Sequence, residues 1–169
     1  MIRLLAELWQ ENVFSFWLLV LAGLYFGVIA LWLSAVDIRS HRLPNRIIFP
    51  SYAVAGALLV TALLAAGDAG GALRTVLAGA ALWSFYLMLR LIYPAGMGLG
   101  DVKLAFLLGL YLGQLGWMHL LYGTLAAFLL GGLWGSALII FRRGSAKTRI
   151  PFGPFMLSGA LAAMLLAAA

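Results

Sequence analysis

Apolar residues run along the chain in long blocks, separated by short polar stretches. The blocks show neither the strict alternation of a half-buried strand nor the one-sided spacing of a surface helix. An apolar run of about 20 residues predicts a helix that crosses a bilayer, because lipid forces backbone polar groups to be satisfied within the segment. Six such spans are predicted, at about 13–36, 47–66, 75–93, 104–113, 117–141 and 150–168. The opening segment 1–12 mixes Leu4, Leu5, Leu8 and Trp9 with Arg3, Glu7 and Glu11, and reads as a short interfacial helix. The first span is too long for a signal-peptide core, and no basic segment leads into it. The stretch 104–141 is nearly twice a crossing, and Gly113-Gln114-Leu115-Gly116 supplies its break. Polar loops are expected at 37–46, 67–74 and 142–149, with a glycine-dense loop at 94–103.

Composition narrows the class. The 169 residues are 65% hydrophobic and 9% charged. A soluble domain carries about 25% charged residues, so this chain has too few to coat a water-facing surface. The fold class expected is an all-α polytopic membrane protein, one domain over 1–169. The absence of cysteine excludes disulfides, Cys-ligated zinc and a Cys nucleophile.

The net charge of +6 is read as topology rather than as nucleic-acid binding. Arg39, Arg42, Arg46, Arg90, Lys103, Arg142, Arg143, Lys147 and Arg149 fall on one side of a six-span arrangement. Only Arg3 and Arg74 fall on the other. The rich side is expected to be cytoplasmic, with both termini outside. Merging the fourth and fifth spans would put 142–149 on the wrong side, so the charges support the break at 113–116. Arg90, one turn from its span end, is placed to snorkel.

Five acids remain to be placed. Glu7 and Glu11 belong to the amphipathic start, and Asp68 to an outer loop. Asp37 and Asp101 both sit at cytoplasmic span ends, where a helix bundle can bring them to one depth. Two close carboxylates cannot both ionise cheaply, so one stays acid while the other serves as base. Such a pair can activate water and protonate a leaving amine. The plainer alternative is structural. Asp37 could pair with Arg39 or Arg42, and Asp101 could cap the fourth helix. Chemistry alone leaves both open.

The glycines weigh on the side of function. Gly96, Gly98 and Gly100 alternate before Asp101. Glycine permits positive φ and close backbone approach, and an extended peptide could lie against such a stretch. The segment lacks the Gly-Lys-Ser/Thr ending of a phosphate loop.

Three segments together resemble the type IV prepilin peptidases, membrane aspartyl proteases with a GxGD motif. They are Asp37-Ile38-Arg39 with Leu43-Pro44-Asn45, then Met97-Gly98-Leu99-Gly100-Asp101-Val102-Lys103-Leu104 with Gly109 and Gly113 after it, and Ile150-Pro151-Phe152-Gly153-Pro154-Phe155. The resemblance covers roughly 35–165. It implies removal of a basic leader from prepilins or pseudopilins at the cytoplasmic face of the inner membrane, with the substrate's apolar helix left in the bilayer. It implies Asp37 and Asp101 as the catalytic pair, attack by water, and neither metal nor cofactor. Many bacterial members carry an added cytoplasmic region, often with paired cysteines, linked to N-methylation. With no cysteine and no loop longer than about ten residues, this chain resembles the short members of Flp/Tad-type pili and the archaeal preflagellin enzymes. Methyltransferase activity is not expected.

Supporting roles are expected for Gly98, Gly100, Lys103, Arg39, Pro44, Asn45, Gly153 and Pro154. Lys103 could tune the aspartate or bind a carbonyl, and Arg39 could orient the loop or simply mark topology. Pro44-Asn45 is expected to turn the chain into the second helix. Pro151, Gly153 and Pro154 suggest an irregular entry near the site. His41 reads as a loop residue and His119 as structural. The rival functions are an inactive membrane scaffold and a transporter. A transporter would put acids at mid-bilayer, where this chain has none.

Overall fold

The computed structural model describes residues 8–40, 43–94, 96–141 and 151–166. Six helices follow one another: α1 Val13–Ser40, α2 Asn45–Ala65, α3 Ala69–Ile92, α4 Leu99–Gly113, α5 Trp117–Ile140 and α6 Gly153–Leu166. No strand occurs among the described residues. Four of the helices, α1, α2, α3 and α5, are long and apolar enough to cross a membrane. The chain is an all-α polytopic membrane protein. Of the expected interfacial helix, residues 8–11 are helical and the rest lies outside the described residues.

Helices α1, α2, α3, α5 and α6 form a ring of neighbours, with α6 closing back on α1. Inside the ring runs α4, touching α2, α3, α5 and α6. It is buried at nearly every position from Asp101 to Gly113. This explains its shortness. Its 15 residues rise about 22 Å, less than the roughly 30 Å hydrocarbon core. Protein rather than lipid surrounds it.

Small residues let the inner helix in. A Cβ on Gly109 would lie 2.6 Å from the Ala78 carbonyl oxygen, so α3 and α4 meet backbone to backbone. Tyr111 reaches out to α1, donating its hydroxyl to the Ala22 carbonyl at 2.9 Å. The outer faces of α1 and α5 expose Leu24, Leu31, Leu129 and Leu133, as lipid contact requires.

Several expected boundaries move. Asp37 is not in a loop, because α1 continues to Ser40 and places it in the last turns. Pro44 disfavours helix in the residue before it, and it is the N-cap of α2. The glycines of 67–74 do not make a loop either. Asp68 caps α3, accepting the Gly71 N–H at 2.7 Å, so only Ala66 to Asp68 turn, with Gly67 at φ +80°. Likewise α4 starts at Leu99 rather than 104. The break at Gly113–Gly116 is found where expected, with Gly116 at φ +125°. Arg74 donates to the carbonyls of Gly113 and Gln114 there, at 2.9 and 3.2 Å.

Candidate active site

The end of α1 and the starts of α2, α4 and α6 meet at one end of the bundle. Here Asp37 and Asp101 are buried, at 5% and 9% exposure. Both line a cavity of about 290 Å³, together with Leu43, Gly98, Leu99, Gly100 and Lys103. Asp101 feels the charge of Asp37. The fold thus brings together two acids 64 positions apart in sequence.

Each aspartate is held by a backbone N–H at the start of a helix. Asp101 lies in the first turn of α4, and its Oδ2 accepts the Gly98 N–H at 3.1 Å. Asp37 Oδ2 accepts the Gly153 N–H, the first residue of α6, at 3.0 Å. Helix starts carry partial positive charge, so both contacts orient the carboxylates. The capping alternative for Asp101 is therefore real in geometry. It does not displace the functional reading, because the same carboxylate lines the cavity.

The glycines serve by their size, not by a special conformation. Gly98 has φ −72° and ψ 148°, which any residue adopts. A Cβ there would lie 3.1 Å from Asp101 Oδ2, and one on Gly100 would lie 3.0 Å from Leu43 Cβ. A Cβ on Gly153 would lie 2.7 Å from Asp37 Oδ2. The expectation of positive φ in this stretch is thus corrected: steric room for the carboxylates and for Leu43 is the requirement.

The contacts of Lys103 are made to α2. Its ammonium donates to Asn45 Oδ1 at 2.8 Å and sits 5.7 Å from the Phe49 ring centre. That contact clasps the first aspartate segment to the second. Among the described residues, Arg90 is the cation whose charge acts on Asp101. Arg39 is exposed and is not among the described residues that line the cavity. Pro44 and Pro154 are half-buried at helix starts, where a missing N–H costs little. His41 lies outside the described residues. His119 lies at the opposite end of the bundle. Among the described residues, no three His, Cys, Asp or Glu side chains gather to hold a metal ion.

Sequence reasoning missed Leu43, Leu99 and Arg90. Arg90 carried a usable signal, since it stands seven residues before Met97 and within reach of the glycine loop. Leu43 and Leu99 stood inside the segments that carry the resemblance, but as leucines among many they had no chemistry that marked them as lining a site.

A family model described as the type IV leader peptidase family matches residues 24–136. The chain belongs to that family. The match takes in Asp37, Asn45, Arg90 and Asp101, and ends before Gly153. Among curated relatives, the prepilin leader peptidase/N-methyltransferase of Aeromonas salmonicida is 33% identical over 138 residues, covering 80% of this chain and 46% of the relative. The protein of the same name from Stutzerimonas stutzeri is 29% identical over 143 residues, covering 84% of this chain and 47% of the relative. The chain thus spans somewhat under half the length of these leader peptidase family relatives. No solved structure matches it.

Proposed function

We propose that this leader peptidase family member is an aspartic endopeptidase of a single membrane domain. Its substrates are prepilin-like proteins, each with a basic leader followed by an apolar helix. The observation that carries the reading is the pair of buried carboxylates on one cavity. A water held between them would attack the scissile carbonyl. The ionised aspartate takes a proton from this water as its oxygen bonds to the carbonyl carbon. The protonated aspartate gives its proton to the carbonyl oxygen, so a neutral tetrahedral diol forms. Collapse of the diol expels the amine, which takes the proton held by the first aspartate, while the second recovers its own. Water's atoms end on the two products, and no covalent enzyme intermediate is needed. The share of the two roles between Asp37 and Asp101 is decided by which one carries the single proton.

The basic residues bias the site towards the cytoplasmic face of the inner membrane. A substrate held there would present its leader to water and keep its apolar helix in lipid. Only the peptidase half of the relatives' names is extended to this chain. Cysteine is absent from its 169 residues, and paired cysteines accompany the methylating region in the family it resembles. A transporter reading is less well supported, because both buried acids lie at one end of the bundle.

The test is co-expression with a candidate prepilin, following leader removal by gel shift and the mass of the new amino terminus. Wild type should release an unmethylated mature pilin. Asp37→Asn and Asp101→Asn should each leave the precursor uncut. Normal cleavage by either single variant would end the two-aspartate reading, and a wild-type chain that cuts no prepilin would end the peptidase reading.

A further inference from the structure

Arg90 was expected to be a snorkelling, topology-marking charge. Its contacts are more specific. It lies in the last turn of α3, and its Nη1 donates to the Met97 carbonyl. The Met97 carbonyl and the Gly98 N–H are the two ends of one peptide group. That same N–H donates to Asp101 Oδ2 at 3.1 Å. Guanidinium, peptide and carboxylate therefore stand in series, with the peptide dipole aligned along the line. A donor on the carbonyl oxygen makes the N–H a stronger donor, because hydrogen bonds in a chain polarise one another. The loop between α3 and α4 is also tight. A Cβ on Gly96 would lie 2.3 Å from the Tyr93 ring, and the first bond of α4, Val102 N–H to Gly98 carbonyl, is long at 3.4 Å.

We propose that Arg90 is a positioning residue for Asp101, acting through the Met97–Gly98 peptide. It fixes that peptide with its N–H aimed at the carboxylate and so holds the carboxylate towards the cavity. The proposal rests on the peptidase reading for its catalytic consequence, but the peptide relay itself is a property of the fold. A charge that only marks topology could be lysine or arginine anywhere in the loop. A guanidinium seated on one carbonyl has a second task.

The test uses the full chain in lipid nanodiscs with a purified prepilin. Arg90→Gln should lower kcat at least about ten-fold, the scale of one charged hydrogen bond, and leave KM within about two-fold. Arg90→Lys keeps the topogenic charge and should recover part of that loss. Arg46→Gln removes an exposed basic residue from the same side and should leave kcat unchanged. Gly98→Pro deletes the relaying N–H without altering any charge. Its backbone suits proline, since Pro44 holds nearly the same φ and ψ as N-cap of α2. It should lower kcat at least as far as Arg90→Gln, since its Cβ also stands 3.1 Å from Asp101 Oδ2. Amide hydrogen exchange at Gly98 should quicken in Arg90→Gln and not in Arg46→Gln.

A wild-type kcat in Arg90→Gln or in Gly98→Pro overturns the proposal, as does unchanged exchange at Gly98. If Arg90→Gln fails to insert, Arg90→Lys decides the matter: a wild-type kcat with unchanged exchange at Gly98 overturns the proposal. A wild-type chain that cuts nothing sinks the peptidase reading instead, and the exchange measurement still judges the relay.

Discussion

Asp37 Oδ2 accepts the Gly153 N–H at 3.0 Å, joining the end of α1 to the first residue of α6. The two are 116 positions apart. A Cβ at 153 would stand 2.7 Å from that oxygen, so the contact exists only with glycine. Gly153→Ala should push the carboxylate out of line and lower kcat at least about ten-fold, the effect of misplacing one catalytic group. Gly159→Ala is the contrast. Its Cβ would lie 2.6 Å from the backbone of α5, far from Asp37. Overpacking there should cost about 1–3 kcal/mol of stability and leave the kcat of the folded fraction unchanged. Melting curves beside steady-state kinetics separate the two, and equal kcat losses in both variants would argue against a role for the Asp37 contact.

Gly100 and Leu43 should behave as a matched pair. A Cβ on Gly100 meets Leu43 Cβ at 3.0 Å, and both residues line the cavity. Gly100→Ala should therefore narrow the site and raise KM more than it lowers kcat. Shortening Leu43 to alanine in the same chain makes room for the added methyl. The double variant should cleave better than Gly100→Ala alone, a non-additivity expected of residues in contact. Additive losses would show that the glycine is needed for something other than space.

Much of the fold was legible because lipid permits few structures. Uninterrupted apolar blocks can only be helices in a bilayer, and the Lys/Arg count pointed to the break at Gly113–Gly116 that the structure contains. Asp37 and Asp101 stood out because only five acids exist. Helix ends were less legible. Asp68 stops a loop by capping α3, and nothing in the sequence forbids α1 from running on through Asp37 to Ser40. The burial of α4 was hidden as well, since an apolar helix has the same pattern whether it faces lipid or protein. Pair contacts such as Arg90 with Met97, or Lys103 with Asn45, arise only when separate helices converge. No local pattern encodes them.

The Lys103–Asn45 clasp ties α4 to α2 beside the cavity at 2.8 Å. Its exposed setting limits its worth. Asn45→Ala and Lys103→Met should each lower stability by less than about 1 kcal/mol, and the double variant should show a coupling of about 0.5 kcal/mol. The effect on cleavage should be larger in KM than in kcat, because Lys103 lines the cavity without touching either aspartate in the contacts described. A thermal double-mutant cycle in detergent reads the coupling, and zero coupling would dissolve the clasp.

Arg74 provides the opposite case, a charge with a structural task far from the cavity. Its guanidinium donates to the carbonyls of Gly113 and Gln114, which end α4. The Gly113 carbonyl also accepts the Gly116 N–H at 3.1 Å, so it is the Gln114 carbonyl, at a helix end packed among other helices, that leans most on Arg74. Gln114 is itself buried, and among the described residues its side-chain amide makes no hydrogen bond, so that side chain does not serve these carbonyls. Arg74→Met should cost about 1–3 kcal/mol by taking the donor from the Gln114 carbonyl. It should lower the melting temperature of the purified protein. The kcat of the surviving enzyme should stay at the wild-type value, since the aspartates lie at the other end of α4. A loss of kcat with unchanged melting would show that the two ends of α4 communicate, which a rigid inner helix of this length could transmit only by moving as a whole.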